Sequence, residues 1–498
     1  MPKKFLEYIK SRTVSYDFRS LALWRILTGI AVLYDLIFYK LLFLEKYYFS
    51  DALRPESTLS SFFGNGFGLI EALGTTGFTV FVYLSVLLSL FYTVGLFDKL
   101  VKPVLFLCYS LILVNSLYLL NGFHFLILVS VFWSIFLPTG IVWSLSKTRE
   151  VSIHPLAVYG LYLQIAFIYL TGALLKNGPI WTEGSAIELI VQDEYYASNF
   201  AFILRDFPET SQMLTYTSLI WEFLIPIFIL WPFYKNLKGI AAMMIVMLHI
   251  GIGMLVQVGP FLIIGTAFSA ALLPRQFWER LKFLKIKKVL ELPLVSIGKT
   301  TNHLKTVVLS VLILMMIKGN LRNWYTGSYV SSLMQAVPNS YDLFYKRYIP
   351  SFFLYGFKDQ PWVFFQMDAQ DDLGLFVIVE EDASGICTLK GTEIKKNSTG
   401  TFILDQSKFK NGFEHDLQHA DFNYMVSLKG VSDVFPESVY KELLMDHQLE
   451  VSQKKQKTLS NLYLCYLSKK SKLTGSFYEY DYKLDCLYEL NLKKLENK

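Results

Sequence analysis

The sequence predicts a polytopic α-helical membrane protein, with about nine transmembrane helices, followed by a small mostly-β extramembrane domain. Three observations predict it. Of 498 residues, 53% are hydrophobic and only 18% charged, with a mean hydropathy of +0.38; a soluble domain of this size carries more charge. The apolar residues crowd into positions 1–320, in runs of about 20, the length at which a helix crosses a bilayer. Residues 319–498 have ordinary soluble composition and strand-like alternation, which sets the expected domains at 1–318 and 319–498.

The N-terminus, "MPKKFLEYIKSRTVSYDFRS", is basic and amphipathic and lacks the short apolar core and small-residue cleavage site of a signal peptide. Spans follow near 20–42, 77–96, 102–120, 123–145, 155–176, 213–232, 238–257, 260–273 and 305–318. Loop charge orders them. Lys3, Lys4, Lys10 and Arg12 precede the first span. Lys99 and Lys102, Lys147 and Arg149, and Lys235 and Lys238 fall in loops on that same side. The 274–305 loop adds Arg275, Arg280, Lys282, Lys285, Lys287, Lys288, Lys299 and Lys305. Alternate loops are mixed or acidic, as at Glu183, Asp193 and Glu194. Positive residues collect on the cytoplasmic side, so the N-terminus is expected there and the C-terminal domain on the outer face, periplasmic, extracellular or lumenal. "RQFWERLKFLKIKKVL" reads as a basic helix lying on the cytoplasmic leaflet. The net charge of +6 comes mainly from these loops and points to a bilayer, with no nucleic-acid partner expected.

In the C-terminal region, "LGLFVIVEED", "GICTLKGTEI", "TGTFILD" and "NLYLCYLSKK" alternate as strands separated by turn residues. Asn397-Ser-Thr matches a glycosylation sequon. Cys108, Cys387, Cys465 and Cys486 lie far apart, without metal-ligand spacing, so no metal site is expected and pairing stays open.

Ionisable residues inside spans are costly and each needs a reason. Lys176 stands at the end of the fifth span in "IYLTGALLKNGPIWTEG", where Asn177, Gly178 and Pro179 break the helix and Trp181 follows. It either snorkels to the headgroups or sits in a partly dry pocket. There burial disfavours the charged form, so a neutral amine can act as a base. His124 opens the fourth span, and His249 lies well inside the seventh; each reads as a hydrogen-bonded core residue or a catalyst. Asp35 and Glu222 read as interhelical partners or as proton-relay acids, and Arg25 as a snorkelling residue. The aromatic content suits a quinone or lipid site, and equally an ordinary membrane interface. No P-loop, GxGxxG, HExxH or GxSxG motif is present, and the two halves do not repeat; ATP-driven transport, dinucleotide binding, zinc proteolysis and serine hydrolysis are disfavoured.

"RSLALWRILTGIAVLYDLIFYK" followed by "YYFSDALRPES", then "LLNGFHFLILVSVFWSIFLPTG", "YLTGALLKNGPIWTEG" and "MLHIGIGMLVQVGPFLIIG" occur in an order that resembles the horizontally transferred transmembrane domain. This is the membrane domain shared with vitamin K-dependent gamma-glutamyl carboxylases. The likeness covers about residues 15 to 275. It implies that Lys176 matches the lysine that deprotonates vitamin K hydroquinone (or menaquinol). It further implies that His124 and His249 match membrane histidines of the active-site region, and that Trp181, Gly172 and Glu222 are cofactor-binding. Reaction of the quinol with O2 would then yield a base strong enough to remove a γ proton from a peptide glutamate, with CO2 as the second co-substrate. Departures are visible. Leu175 stands where the carboxylase has a second lysine, the Asn177–Ile180 spacer differs, Gly172 lies one residue farther from the tryptophan, and the outer domain is much shorter than in the animal enzyme.

Two functions follow. One is a quinone-dependent carboxylase, a lyase and epoxidase, or a closely related oxidase acting on a peptide or protein at the outer face. The other is a non-carboxylating membrane factor for maturation, export or immunity of a secreted peptide toxin. The sequence names neither the peptide nor the oligomeric state.

Overall fold

A computed structural model describes residues 17–49, 69–115, 121–146, 154–176, 178–192, 197–231, 237–281, 303–325, 373–389, 392–396, 402–403, 444, 459–474 and 477–492. The N-terminal basic segment, most of the 274–305 loop and the Asn397 sequon lie outside these residues.

Helix α1 (Phe18–Asp35) starts at Asp17, whose carboxylate accepts the Arg19 amide at 2.9 Å. Such a cap satisfies a helix N–H that has no intrahelical partner. The helix then loosens into a π turn (Leu36–Lys40), a 3₁₀ turn (Leu41–Phe43) and a second π turn (Glu45–Phe49). There follow α2 (Leu69–Val94), α3 (Asp98–Val114), α4 (Gly122–Ile135) and α5 (Pro155–Leu175). After them come the short α6 (Pro179–Thr182) and α7 (Ala186–Gln192), then α8 (Pro208–Leu230), α9 (Leu237–Leu255), α10 (Phe261–Leu272), α11 (Arg275–Arg280) and α12 (His303–Tyr325). Helix α1 packs on α2, α4 and α10; α8 bridges α5 and α9; α9 lies on α10. Contact between α1 and α2 is close because Gly29 has no side chain: a Cβ there would stand 2.1 Å from Thr93 Oγ1. Small residues of this kind let membrane helices approach where no hydrophobic force drives them together.

Among the described residues, five stretches are long and apolar enough to span a bilayer: Phe18–Phe43, Ala72–Val94, Pro155–Leu175, Pro208–Leu230 and Leu237–Leu255. The expected count of about nine is therefore not reproduced. For two of the expected spans the reason is length. Helix α4 has 14 residues and α10 has 12, and a 12-residue helix rises only about 18 Å against a hydrocarbon core of about 30 Å. Pro138 and Pro274 follow close behind their ends and cannot continue a helical hydrogen-bond ladder.

The non-helical chain after α4 corrects the reading of Arg25. This residue does not snorkel; it is fully buried. Its guanidinium donates to the Thr139 carbonyl at 2.8 Å and to that of Trp143. Lys102 donates to the Leu137 carbonyl at 2.7 Å and to Asp98 at 2.5 Å. Irregular backbone in an apolar setting needs such donors, since no lipid supplies them.

The C-terminal region forms a six-stranded antiparallel sheet in the order β4-β3-β2-β1-β5-β6. Its strands are β1 (Leu373–Asp382), β2 (Cys387–Leu389), β3 (Thr392–Lys396), β4 (Phe402–Ile403), β5 (Leu459–Thr474) and β6 (Phe477–Asn491). Each of the four alternating stretches of the sequence contributes residues to a strand among the described residues. The β1–β2 turn is built by Asp382, whose Oδ1 accepts the Ser384 and Ile386 amides at 2.9 and 3.0 Å, and by Gly385 at φ 84°. Cys465 is disulfide-bonded and stands opposite Cys486 in the β5–β6 register, whereas Cys108 and Cys387 are free.

Candidate functional site

Helix α5 ends because the sequence after Leu175 cannot continue it. Lys176 caps the helix in a non-helical conformation (φ −85°, ψ 57°), and its amide reaches back to the Ala173 carbonyl at 3.3 Å. Pro179 opens α6, whose first turn closes as the Trp181 amide donates to the Gly178 carbonyl at 3.0 Å. This reversal puts the Trp181 ring against the lysine, with Nζ 4.8 Å from its centroid, a distance at which a ring face stabilises a cation. From α8, Glu222 approaches the same amine: Nζ donates to Oε1 at 2.5 Å, and both side chains are 8% exposed.

Beneath the pair, His249 of α9 contacts Tyr169 of α5, with Nε2 and Oη 3.0 Å apart. Its ring packs against Phe261 at 5.0 Å. It fits only because position 265 is glycine: a Cβ on Gly265 would stand 2.2 Å from both Cε1 and Nδ1. Lys176, Glu222, His249, Tyr169 and Gly172 line one small cavity. Leu126, Ile168, Leu248, Ile252, Phe261 and Phe268 complete its walls. Glu222 Oε2 and His249 Nδ1 are buried and have no hydrogen-bond partner among the described residues. A buried polar atom left without a partner is uncommon and costly. An apolar-walled cavity with a few convergent polar groups has the makeup of a small-molecule site.

Of the residues singled out from sequence, the structure gathers Lys176, Gly172, Glu222 and His249 around one cavity and sets Trp181 against the amine. His124 does not line it. It belongs to a second buried cluster, with Asp35 and Lys40 from the α1 segment and Tyr109 from α3. The Asn121 amide donates to His124 Nδ1 at 2.8 Å. The other ring nitrogen, Nε2, lies 3.1 Å from Asp35 Oδ1 and 2.9 Å from Lys40 Nζ. Tyr109 donates to Asp35 Oδ2 at 2.8 Å. Lys40 was not singled out from sequence, because five residues along an ideal α-helix separate two side chains by more than a quarter turn. The π turn over Leu36–Lys40 brings it onto the face of Asp35. Tyr169 was missed because nothing local separates it from the other aromatics of α5.

Among known proteins, the family model of the HTTM domain matches residues 14–273, more than half of the chain. No curated protein and no solved structure matches it.

Proposed function

Because the chain belongs to the HTTM domain family, the transmembrane domain of vitamin K-dependent gamma-carboxylase, we propose that it is an integral membrane enzyme. In this reading it couples oxidation of vitamin K hydroquinone, or menaquinol, to carboxylation of glutamate in a peptide or protein. The observation that carries the proposal is the buried Lys176–Glu222 pair at one end of an apolar-walled cavity. When bound, the quinol supplies the oxygen-driven chemistry that makes a carbanion-forming base, with O2 and CO2 as co-substrates. Lys176, Glu222 and Trp181 form the proton-accepting end of the site. The aliphatic and phenylalanine walls hold the ring and exclude water, which strengthens every charge interaction inside. His249, backed by Tyr169, faces the same space.

His124 enters the proposal as a positioning residue: its cluster fixes the start of α4, the helix that carries Leu126 into the cavity wall. The N-terminus is proposed to be cytoplasmic and the region 319–498 to lie on the outer face, where it would meet a peptide. The alternating loop charges and the disulfide-bonded Cys465 support this, since disulfides persist in oxidising compartments.

The test compares hydroquinone epoxidation and glutamate carboxylation in membranes from wild type and Lys176→Ala. Proton transfer precedes both reactions, so both are expected to fall together, by roughly 10²- to 10⁴-fold. Equal activity in the two removes the lysine pair from the chemistry.

A further inference from the structure

Three spanning helices end or begin at one level of the bundle. The Tyr216 hydroxyl of α8 donates to the Thr182 carbonyl, in the reversal after α5, at 3.2 Å. The Ser198 amide, in the chain that leads into α8, donates to the carbonyl of Leu255, the last residue of α9, at 2.9 Å. Ala197 pairs with Val256 as a short antiparallel bridge. The stretches Pro155–Leu175 and Leu237–Leu255 therefore finish where Pro208–Leu230 starts. A 3₁₀ segment (Ala201–Asp206) runs at this level and leads through Phe207 into α8.

The segment has two sides. Ala201 is buried with Val191 and Ala197, and Leu204 and Leu255 pack over them. Arg205 also turns inward: its Nε donates to the Val191 carbonyl at 2.8 Å, and its guanidinium lies 4.2 Å from the centroid of the Phe202 ring. The outward side is apolar, where a loop in water would be polar. Phe200 is 47% exposed, Phe202 42%, Ile203 56% and Phe207 54%. A contiguous patch of large apolar side chains marks a binding surface or a membrane contact.

Continuity identifies what covers it. Along α8 the exposed apolar residues Met213, Tyr216, Ile220, Phe223 and Ile227 recur every three or four positions. Met243, Met247, Ile250 and Met254 do the same along α9. Such spacing keeps one helix face outward, and on a spanning helix whose other face packs in the bundle that stripe meets lipid. The Ser198 hydroxyl donates to the Met254 carbonyl, so the chain enters the segment at the end of the α9 stripe. It leaves through Phe207 at the start of the α8 stripe. We propose that residues 200–207 form an interfacial anchor whose partner is a phospholipid surface. Phe200, Phe202, Ile203 and Phe207 insert at the boundary between headgroups and acyl chains, in the leaflet at this end of the bundle.

The anchor sets the depth of the neighbouring cavity. Arg205 ties it to α7, and the Ile187 amide of α7 donates to Thr215 Oγ1 of α8 at 3.1 Å. Gly184 closes on the side chains of Gln212 and Tyr216, where a Cβ would stand 2.7 Å from Gln212 Cγ. The turn bearing Lys176 and Trp181 runs into this assembly, so the lysine end of the cavity lies near the headgroups and not at the bilayer centre.

The test uses the full-length chain with Cys108→Ser and Cys387→Ser, reconstituted into phosphatidylcholine vesicles. Phe200→Cys, Phe202→Cys, Ile203→Cys and Phe207→Cys are made one at a time and labelled with a nitroxide. Power saturation then reads collision with O2, which concentrates in lipid, and with a water-soluble nickel chelate. Ile220→Cys marks lipid, and Ser384→Cys, in the exposed β1–β2 turn, marks water. Each of the four labels is expected to favour O2, at a depth of about 5–10 Å and shallower than Ile220→Cys. Labels that favour the chelate as Ser384→Cys does would show the patch facing water and overturn the proposal. Low collision with both reagents would show the patch covered by protein, a second copy included, and overturn it as well. Each position is read singly, so a variant that does not fold leaves the other three to decide.

Discussion

Lys176 Nζ and Glu222 Oε1 lie 2.5 Å apart although 46 positions separate them, one capping α5 and the other inside α8. The pair locks two helices whose packing also forms the cavity wall. Its strength is largely conditional. Two buried charges gain little over well-packed apolar residues, but removing one strands the other.

That asymmetry gives the first prediction. Lys176→Met alone should destabilise the chain by about 3–5 kcal/mol, because Glu222 is left buried and uncompensated. The double variant Lys176→Met/Glu222→Leu should recover most of the loss while staying inactive. Thermal unfolding in detergent checks it, and additive effects of the two substitutions would refute the coupling.

The second cluster follows the same rule. Asp35→Asn leaves Lys40, only 1% exposed, without its carboxylate 3.8 Å away. A loss of about 3–5 kcal/mol is expected, relieved in Asp35→Asn/Lys40→Met. Unfolding of the four chains of this double-mutant cycle measures the interaction directly.

Gly265→Ala tests how the histidine is seated. The added methyl would fall 2.2 Å from the His249 ring, so the ring or α10 must move. Overpacking of this kind costs about 1–3 kcal/mol. Gly172→Ala, whose methyl meets Glu222 at an ordinary 3.4 Å, should be clearly milder. Melting temperatures and epoxidation rates of the two variants, compared side by side, decide it.

In the sheet, pH dependence is expected on both sides of neutrality. Burial pushes the Glu381 carboxyl up, but hydrogen bonds from Tyr463 and Asn461 and the charge of Lys396 outweigh it and leave the group below the ordinary carboxylate range. Its stabilisation is full above the unfolded value and is lost as pH falls through the lower folded value. Burial, then the bond to Glu381, pushes the Tyr463 phenol well up. Its stabilisation is present below the ordinary phenol range and is lost as pH rises through the folded value. Hydrogen exchange of β1 and β5 in the full chain should therefore quicken at both extremes, beyond the intrinsic pH trend. Glu381→Gln should remove the acid limb.

Sidedness is tested by labelling. An impermeant maleimide should reach a cysteine placed at exposed Ser384, in the β1–β2 turn, from outside intact cells. One placed at exposed Lys99 should react only after permeabilisation. The reverse pattern would invert the topology.

Much of this molecule was legible in its residues. Hydropathy and Pro/Gly punctuation are local properties, so the positions of the helices, the break after Leu175 and the alternating strands could be read directly. Ordered motifs pointed to the family, and the family model matches over residues 14–273. Intramembrane ionisable groups could be marked one by one, because each is costly wherever it lies. Their partners could not. Pairing of Lys176 with Glu222, seating of His249 against Gly265, and separation of His124 from the lysine cavity depend on how helices far apart in sequence cross. Lys40 joined Asp35 through a π turn that hydropathy does not register, and Arg25 turned inward because the chain after α4 left carbonyls needing donors. Composition and spacing decided that the chain forms membrane helices and a β sheet, since burial of apolar residues and backbone hydrogen bonding act locally. The tertiary structure alone decided which charges meet, because a buried charge takes whatever partner the packing brings within hydrogen-bond reach.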